Sequence, residues 1–162
     1  MKKIIALLST ALLFGAAVFA EGYICANDVE KQVFTTEVAQ EDGFSLRGTD
    51  EKVLECQACD PVTVGEDTFT QRFKYGSSKL TGIKFSAKAG EKVTVWGLSS
   101  GKTEARVAVF YNEAKKSAGE VPVNAYDPTK CSVETWTVPA DGTYLLAAKK
   151  NTIYVYQVKI EK

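Results

Sequence analysis

The sequence predicts an all-β protein, an antiparallel β-sandwich of jelly-roll type, on three observations. Short runs rich in β-branched and aromatic residues recur along the chain, each bounded by Gly, Pro, Asp, Asn or Ser. No stretch carries the long 3.6-residue apolar period of an amphipathic helix. The chain is also of a length that one core can serve. Strands at this spacing, with no helices between them, fold into a sandwich or barrel.

The chain opens with Lys2-Lys3, an apolar run from Ile4 to Phe19, and small residues at Val18 and Ala20. That is the pattern of an export signal, so residues 1–20 are set apart from the fold. The run falls short of the roughly 20 apolar residues of a membrane span, and Glu21 follows directly, so no membrane span is expected. The expected product is an exported protein, periplasmic or extracellular. Its 142 remaining residues, out of 162, suit one domain.

Residues 21–43 show little periodicity and read as an irregular lead-in with an edge strand near 33–36. Residues 44–162 are expected to form the single sandwich domain. Strands are predicted at 44–47, 52–56, 68–75, 80–87, 92–96, 105–111, 132–138, 143–148 and 152–160. Strand parity places Phe69, Phe73 and Tyr75 inward and Thr70, Arg72 and Lys74 outward, with Lys84 and Arg106 outward in their own strands, leaving Gln71 at a seam where it needs hydrogen-bond partners. The runs around Val93-Val95 and Val107-Val109 flank Ser99-Ser100-Gly101-Lys102, so residues 92–112 read as a β-hairpin. Residues 112–131, with Gly119, Pro122 and Pro128, read as a long loop with at most a short strand at 121–123. In the last run Ile153 and Val155 share one face, while Tyr154, Tyr156, Val158 and Ile160 share the other. Such a strand is either central and covered on both sides, or carries an exposed tyrosine patch.

Without the export signal the chain has 18 Lys+Arg against 20 Asp+Glu, a formal charge of −2. Nucleic acid, which needs a strong basic field, is not an expected partner. Histidine is absent altogether. That removes the commonest member of catalytic triads, zinc sites and near-neutral acid/base chemistry, and it favours binding over catalysis. Cys25, Cys56, Cys59 and Cys131 make an even count in an exported chain, which favours disulfides in one of three pairings. The Cys56-x-x-Cys59 spacing also occurs in redox pairs. Those open a helix, however, and here a strand precedes the pair and Asp60-Pro61 follows. Asp50, Glu51, Asp60, Glu66 and Asp67 offer oxygen ligands for a structural calcium, at spacings that match no calcium loop. No cofactor is expected.

Three stretches carry a family resemblance: FTQRFKYG at 69–76, IKFSAKAGEKVTVWGLSSGKTEARVAVFYN at 83–112, and VPADGTYLLAAKKNTIYVYQVKI at 138–160. They resemble a β-sandwich, carbohydrate-binding-module-like domain appended to secreted bacterial pectate lyases and related polysaccharide-degrading enzymes. The likeness runs from about residue 44 to 160. It implies a non-catalytic module whose partner is a polysaccharide such as pectin, and it matches recurrent arginines of that module to Arg72 and Arg106. The residues themselves supply suitable chemistry. Trp96, opposite Val93 and Val95 in parity, and Tyr154 can stack on sugar C–H faces, and Arg72, Lys74 and Arg106 can meet uronate carboxylates. The alternative expectation is a structural or interaction protein of the cell envelope, with envelope protein partners and no sugar binding.

Overall fold

In a computed structural model, which describes residues 22–162, each of the nine predicted runs is a strand. The export signal expected at residues 1–20 lies outside the described residues. Among those described, thirteen strands run in chain order: β1 Gly22–Cys25, β2 Gln32–Phe34, β3 Glu37–Ala39, β4 Ser45–Arg47, β5 Leu54–Val64, β6 Asp67–Tyr75, β7 Gly82–Ala87, β8 Lys92–Ser99, β9 Arg106–Asn112, β10 Ser117–Val123, β11 Ser132–Thr137, β12 Gly142–Ala148 and β13 Ile153–Glu161. They form a seven-stranded sheet ordered β11-β8-β13-β6-β5-β2, with β1 also on β13, and a six-stranded sheet ordered β10-β9-β12-β7-β4-β3. Successive strands change sheet from β6 to β9 and again from β10 to β13, which is the jelly-roll habit.

The two sheets bury one core between them. The seven-stranded sheet contributes Phe73, Tyr75, Val93, Val95, Ile153 and Val155, and the six-stranded sheet Leu46, Ile83, Phe85, Phe110 and Leu146. At one end the Trp136 indole stacks on Phe110 at 4.1 Å and meets Tyr144 edge-on at 5.1 Å. Gly119, at the irregularity in β10, makes room for it: a Cβ there would lie 2.0 Å from the indole Nε1. Removing all apolar area here from water is the main stabilising term.

Four local expectations are corrected. Residues 92–112 are not a hairpin: β8 lies in the seven-stranded sheet and β9 in the six-stranded one, so the polar loop arches over the end of the sandwich. Each strand buries its own apolar face, and that pattern looks the same for an arch as for a hairpin. The lead-in carries the edge strand expected near 33–36, β2 at the end of its sheet, and is otherwise more regular than expected, because β1 pairs with β13 and β3 extends the other sheet. The 112–131 stretch contains a full strand, β10, paired along β9 from Ser117 to Val123. In β13 the pairing with β8 shifts between Val155 and Gln157, which returns Val158 and Ile160 to the core face with Val155. Tyr154 and Tyr156 are left on the outer face.

Candidate functional site

That shift in β13 organises the outer face of the seven-stranded sheet. The β5–β6 hairpin turns at Gly65-Glu66, with Gly65 at φ +61° as the first residue of a two-residue loop. Its pairing is interrupted between Ala58 and Val62, where Cys59-Asp60-Pro61 bulge out of register. Beyond the bulge, Val62 and Phe69 join Tyr156, Leu98 and Cys25 in a second apolar cluster, with Trp96, Tyr126, Cys59, Cys131 and Tyr154 packed against it. Tyr156 is fully buried, its ring 5.6 Å from Phe69. Asn27 closes the free edge of β6: its Oδ1 accepts from Thr70 N and Gln71 N at 2.9 and 3.1 Å, and its Nδ2 donates to Thr68 O at 2.9 Å. Gln71 finds the partner its seam position requires, its Nε2 donating to Asn27 O at 3.1 Å.

Arg72 lies at the centre of this face. Its guanidinium carbon sits 3.7 Å above the Tyr154 ring and 5.9 Å from that of Tyr126, and the two tyrosines meet edge to face at 5.7 Å. With the Gln57 amide oxygen facing it, the guanidinium donates from Nη2 and Nε at 2.9 and 3.1 Å, and the Gln57 NH₂ donates to Glu55 Oε2 at 3.1 Å. Glu55 in turn pairs with Lys74 at 3.2 Å. Tyr126 is held by a tight turn: Asp127 Oδ1 accepts from Thr129 N and Oγ1 at 3.0 and 2.7 Å, and these bonds, with Lys130, hold the Asp127 carboxyl down at about 2.

Four of the five predicted ligand residues, Arg72, Lys74, Trp96 and Tyr154, therefore share one face. Trp96 is half-buried rather than free-standing, beside exposed Val133 on β11. Arg106 is placed elsewhere, which corrects its outward assignment. It shares parity with core residues Ala108 and Phe110, and its Nη1 donates to Ser100 Oγ and Thr152 O, tying the 99–101 arch to the loop before β13. Tyr126 and Gln57 were missed because their role comes from contacts across the sheet. The cationic Arg beside a run of aromatics was the one legible signal.

All four cysteines are free thiols, where disulfides were expected. Cys56 and Cys59 both lie in β5, inside a strand, so the redox-pair geometry at a helix start is missing. Burial pushes the Cys56 thiol up to about 11 and Cys131 up to about 12, and it raises Cys25 and Cys59, the last against the pull of Arg72. Among the described residues no group of three or more Cys, Asp or Glu gathers as a cation cage, and the acidic residues considered for calcium do not converge. No helix among them is long and apolar enough to cross a membrane.

No family model matches the chain, and no curated protein matches it in sequence. Among solved structures it is similar to a carbohydrate-binding module of Clostridium stercorarium, determined in complex with cellobiose, at 12% identity and a TM-score of 0.48, covering 91% of this chain and 98% of that one. It is also similar to the xylan-binding CBM22-1 domain of Paenibacillus barcinonensis Xyn10C, at 12% identity and a TM-score of 0.42, covering 91% and 99%. At that distance the fold rests on the sheets themselves and any ligand on the site.

Proposed function

We propose that the chain is an exported, non-catalytic carbohydrate-binding protein that lays a polysaccharide across the outer face of the seven-stranded sheet. Pectin is the ligand of first choice. Trp96, Tyr154 and Tyr126 offer apolar surface to sugar rings, and Arg72 and Lys74 meet polar and anionic substituents. The observation that carries this is the fixed guanidinium of Arg72, stacked on Tyr154 and doubly bonded to Gln57. A side chain already ordered loses little rotamer freedom on binding, and a guanidinium has more donors than these two bonds consume. Binding without turnover is supported by the lack of histidine in the sequence, which removes the commonest acid/base group from any site on this face. Export is part of the same proposal, supported by the basic and then apolar start of the chain; finding Glu21 as the N-terminus of protein from the periplasm or medium would establish it.

Affinity electrophoresis on polygalacturonate, methyl-esterified pectin, xylan and cellulose is the direct test. Retardation by a pectic polymer, weakened about tenfold or more in Arg72→Ala and Trp96→Ala, is the expected result. If folded protein migrates freely through every polymer, the reading is lost. Release of reducing sugar above background would overturn its non-catalytic half.

A further inference from the structure

The opposite face of the sandwich carries a different surface. On the six-stranded sheet the pairing sets Ser45, Lys84, Leu145, Tyr111 and Ser117 in one row across β4, β7, β12, β9 and β10. Val109, Leu145 and Ala147 form a small apolar cluster on the outside of this sheet, and Tyr111 packs against it half-exposed. Val109 and Ala147 are buried, and a groove of about 220 Å³ is lined on the outside by Tyr111 and the edge of Leu145. Cations border it: Arg47, Lys79, Lys84 and Lys115, against a single acidic lining residue, Glu113.

Two of those cations are partly neutralised. Glu37 pairs with Lys84 at 2.7 Å and with Arg47 at 3.9 Å. The other two are not: among the described residues no carboxylate lies within 4.0 Å of Lys79 Nζ or Lys115 Nζ. Lys79 instead hangs over the Tyr111 ring, 5.4 Å from its centroid. The chain as a whole is not basic, so this excess is local. The groove is smaller and more open than the roughly 300–1,000 Å³ pockets that engulf small molecules, which suits a chain laid across it. A ring with an apolar face and a carboxylate edge matches an aromatic and aliphatic floor with a cationic rim.

From this we propose that the outer face of the six-stranded sheet is a second glycan site, selective for polysaccharide chains bearing carboxylates, of which polyuronates are the simplest. Tyr111 and Leu145 form its platform, and Lys79, Lys115 and Arg47 read the charge. This site stands on its own residues and does not depend on binding at Arg72.

The test is calorimetric titration of the folded protein with short oligogalacturonides and with a neutral galactan oligosaccharide of similar length. It compares wild type, Arg72→Ala, Lys79→Gln and Tyr111→Ala, with circular dichroism confirming the fold of each. The expected result is that Arg72→Ala still binds oligogalacturonide. Adding Lys79→Gln or Tyr111→Ala to that background should weaken binding about tenfold, raised salt should weaken it further, and the neutral oligosaccharide should not compete. The proposal is overturned if Arg72→Ala abolishes all oligogalacturonide binding, if Lys79→Gln and Tyr111→Ala leave it unchanged, or if neutral galactan competes equally. It is equally overturned if a short DNA duplex binds this face as tightly, since the groove would then be a general cation patch. Loss of binding confined to Arg72→Ala would count against this site while leaving the first face intact.

Discussion

Arg72 and Arg106 each sit in a strand among apolar neighbours, and strand parity assigned both to the outside. The structure separates them by what each guanidinium touches. That of Arg72 rests on an aromatic ring and a side-chain amide on an outer face, whereas Arg106 Nη1 bonds a serine hydroxyl and a main-chain carbonyl that hold two loops together. Arg106→Ala should therefore lower stability by about 1–3 kcal/mol, the scale for losing charged hydrogen bonds to partly buried groups, and leave glycan affinity unchanged. Thermal denaturation alongside polymer binding checks this, and a selective loss of binding would contradict it. Arg72 should show the reverse pattern.

Among the elements, β6 and β13 meet only over Ile153–Val155, and β1 takes up the rest of the β13 edge. The outer half of β6 keeps its pairing with β5 but has free main-chain groups on the edge toward β13, and Asn27 bonds them as a strand would. This frees the β5–β6 hairpin to fold over Tyr156 and bring Arg72 onto Tyr154. Asn27→Ala should cost about 1–3 kcal/mol. It should also raise amide exchange at Thr70 and Gln71 well before the Phe73–Tyr75 half of the strand; uniform exchange along β6 would show that the asparagine is not the clasp. The arch between β8 and β9 belongs to this scale too. Val93 and Val95 on one strand and Ala108 and Phe110 on the other face the same core from opposite sheets. A two-residue alternation cannot register that, because it reports which face is apolar and not which sheet the strand joins.

For the whole molecule, burial of acidic groups sets how stability depends on pH. Cys56 and Cys131, ordinarily near 9.0, are pushed to about 11 and about 12, and Tyr75 and Tyr156, ordinarily near 10.0, are raised by the same desolvation. Below about pH 8 these groups are neutral in both folded and unfolded chains and leave stability flat. Between about pH 9 and 12 the unfolded chain releases protons that the fold retains, so stability falls as pH rises. Urea midpoints measured across that range with the thiols kept reduced should decline steadily; a rising midpoint would contradict the sign.

The sequence by itself determined the all-β class, the place of nine strands and the inward residues Phe69, Phe73, Tyr75, Val93 and Val95. Each is a local property, set by side-chain volume and a two-residue period that survive in any packing. It also picked Arg72, Lys74, Trp96, Tyr154 and Arg106 as ligand candidates; the first four lie on one face, and Arg106 turns away from it. Only the tertiary structure decided sheet membership, the bulge that turns Val158 and Ile160 inward, the stack of Arg72 on Tyr154 and Tyr126, and the cationic groove around Tyr111. Those depend on contacts between residues far apart in the chain, such as Arg72 with Tyr154 or Lys84 with Glu37, which no local pattern encodes.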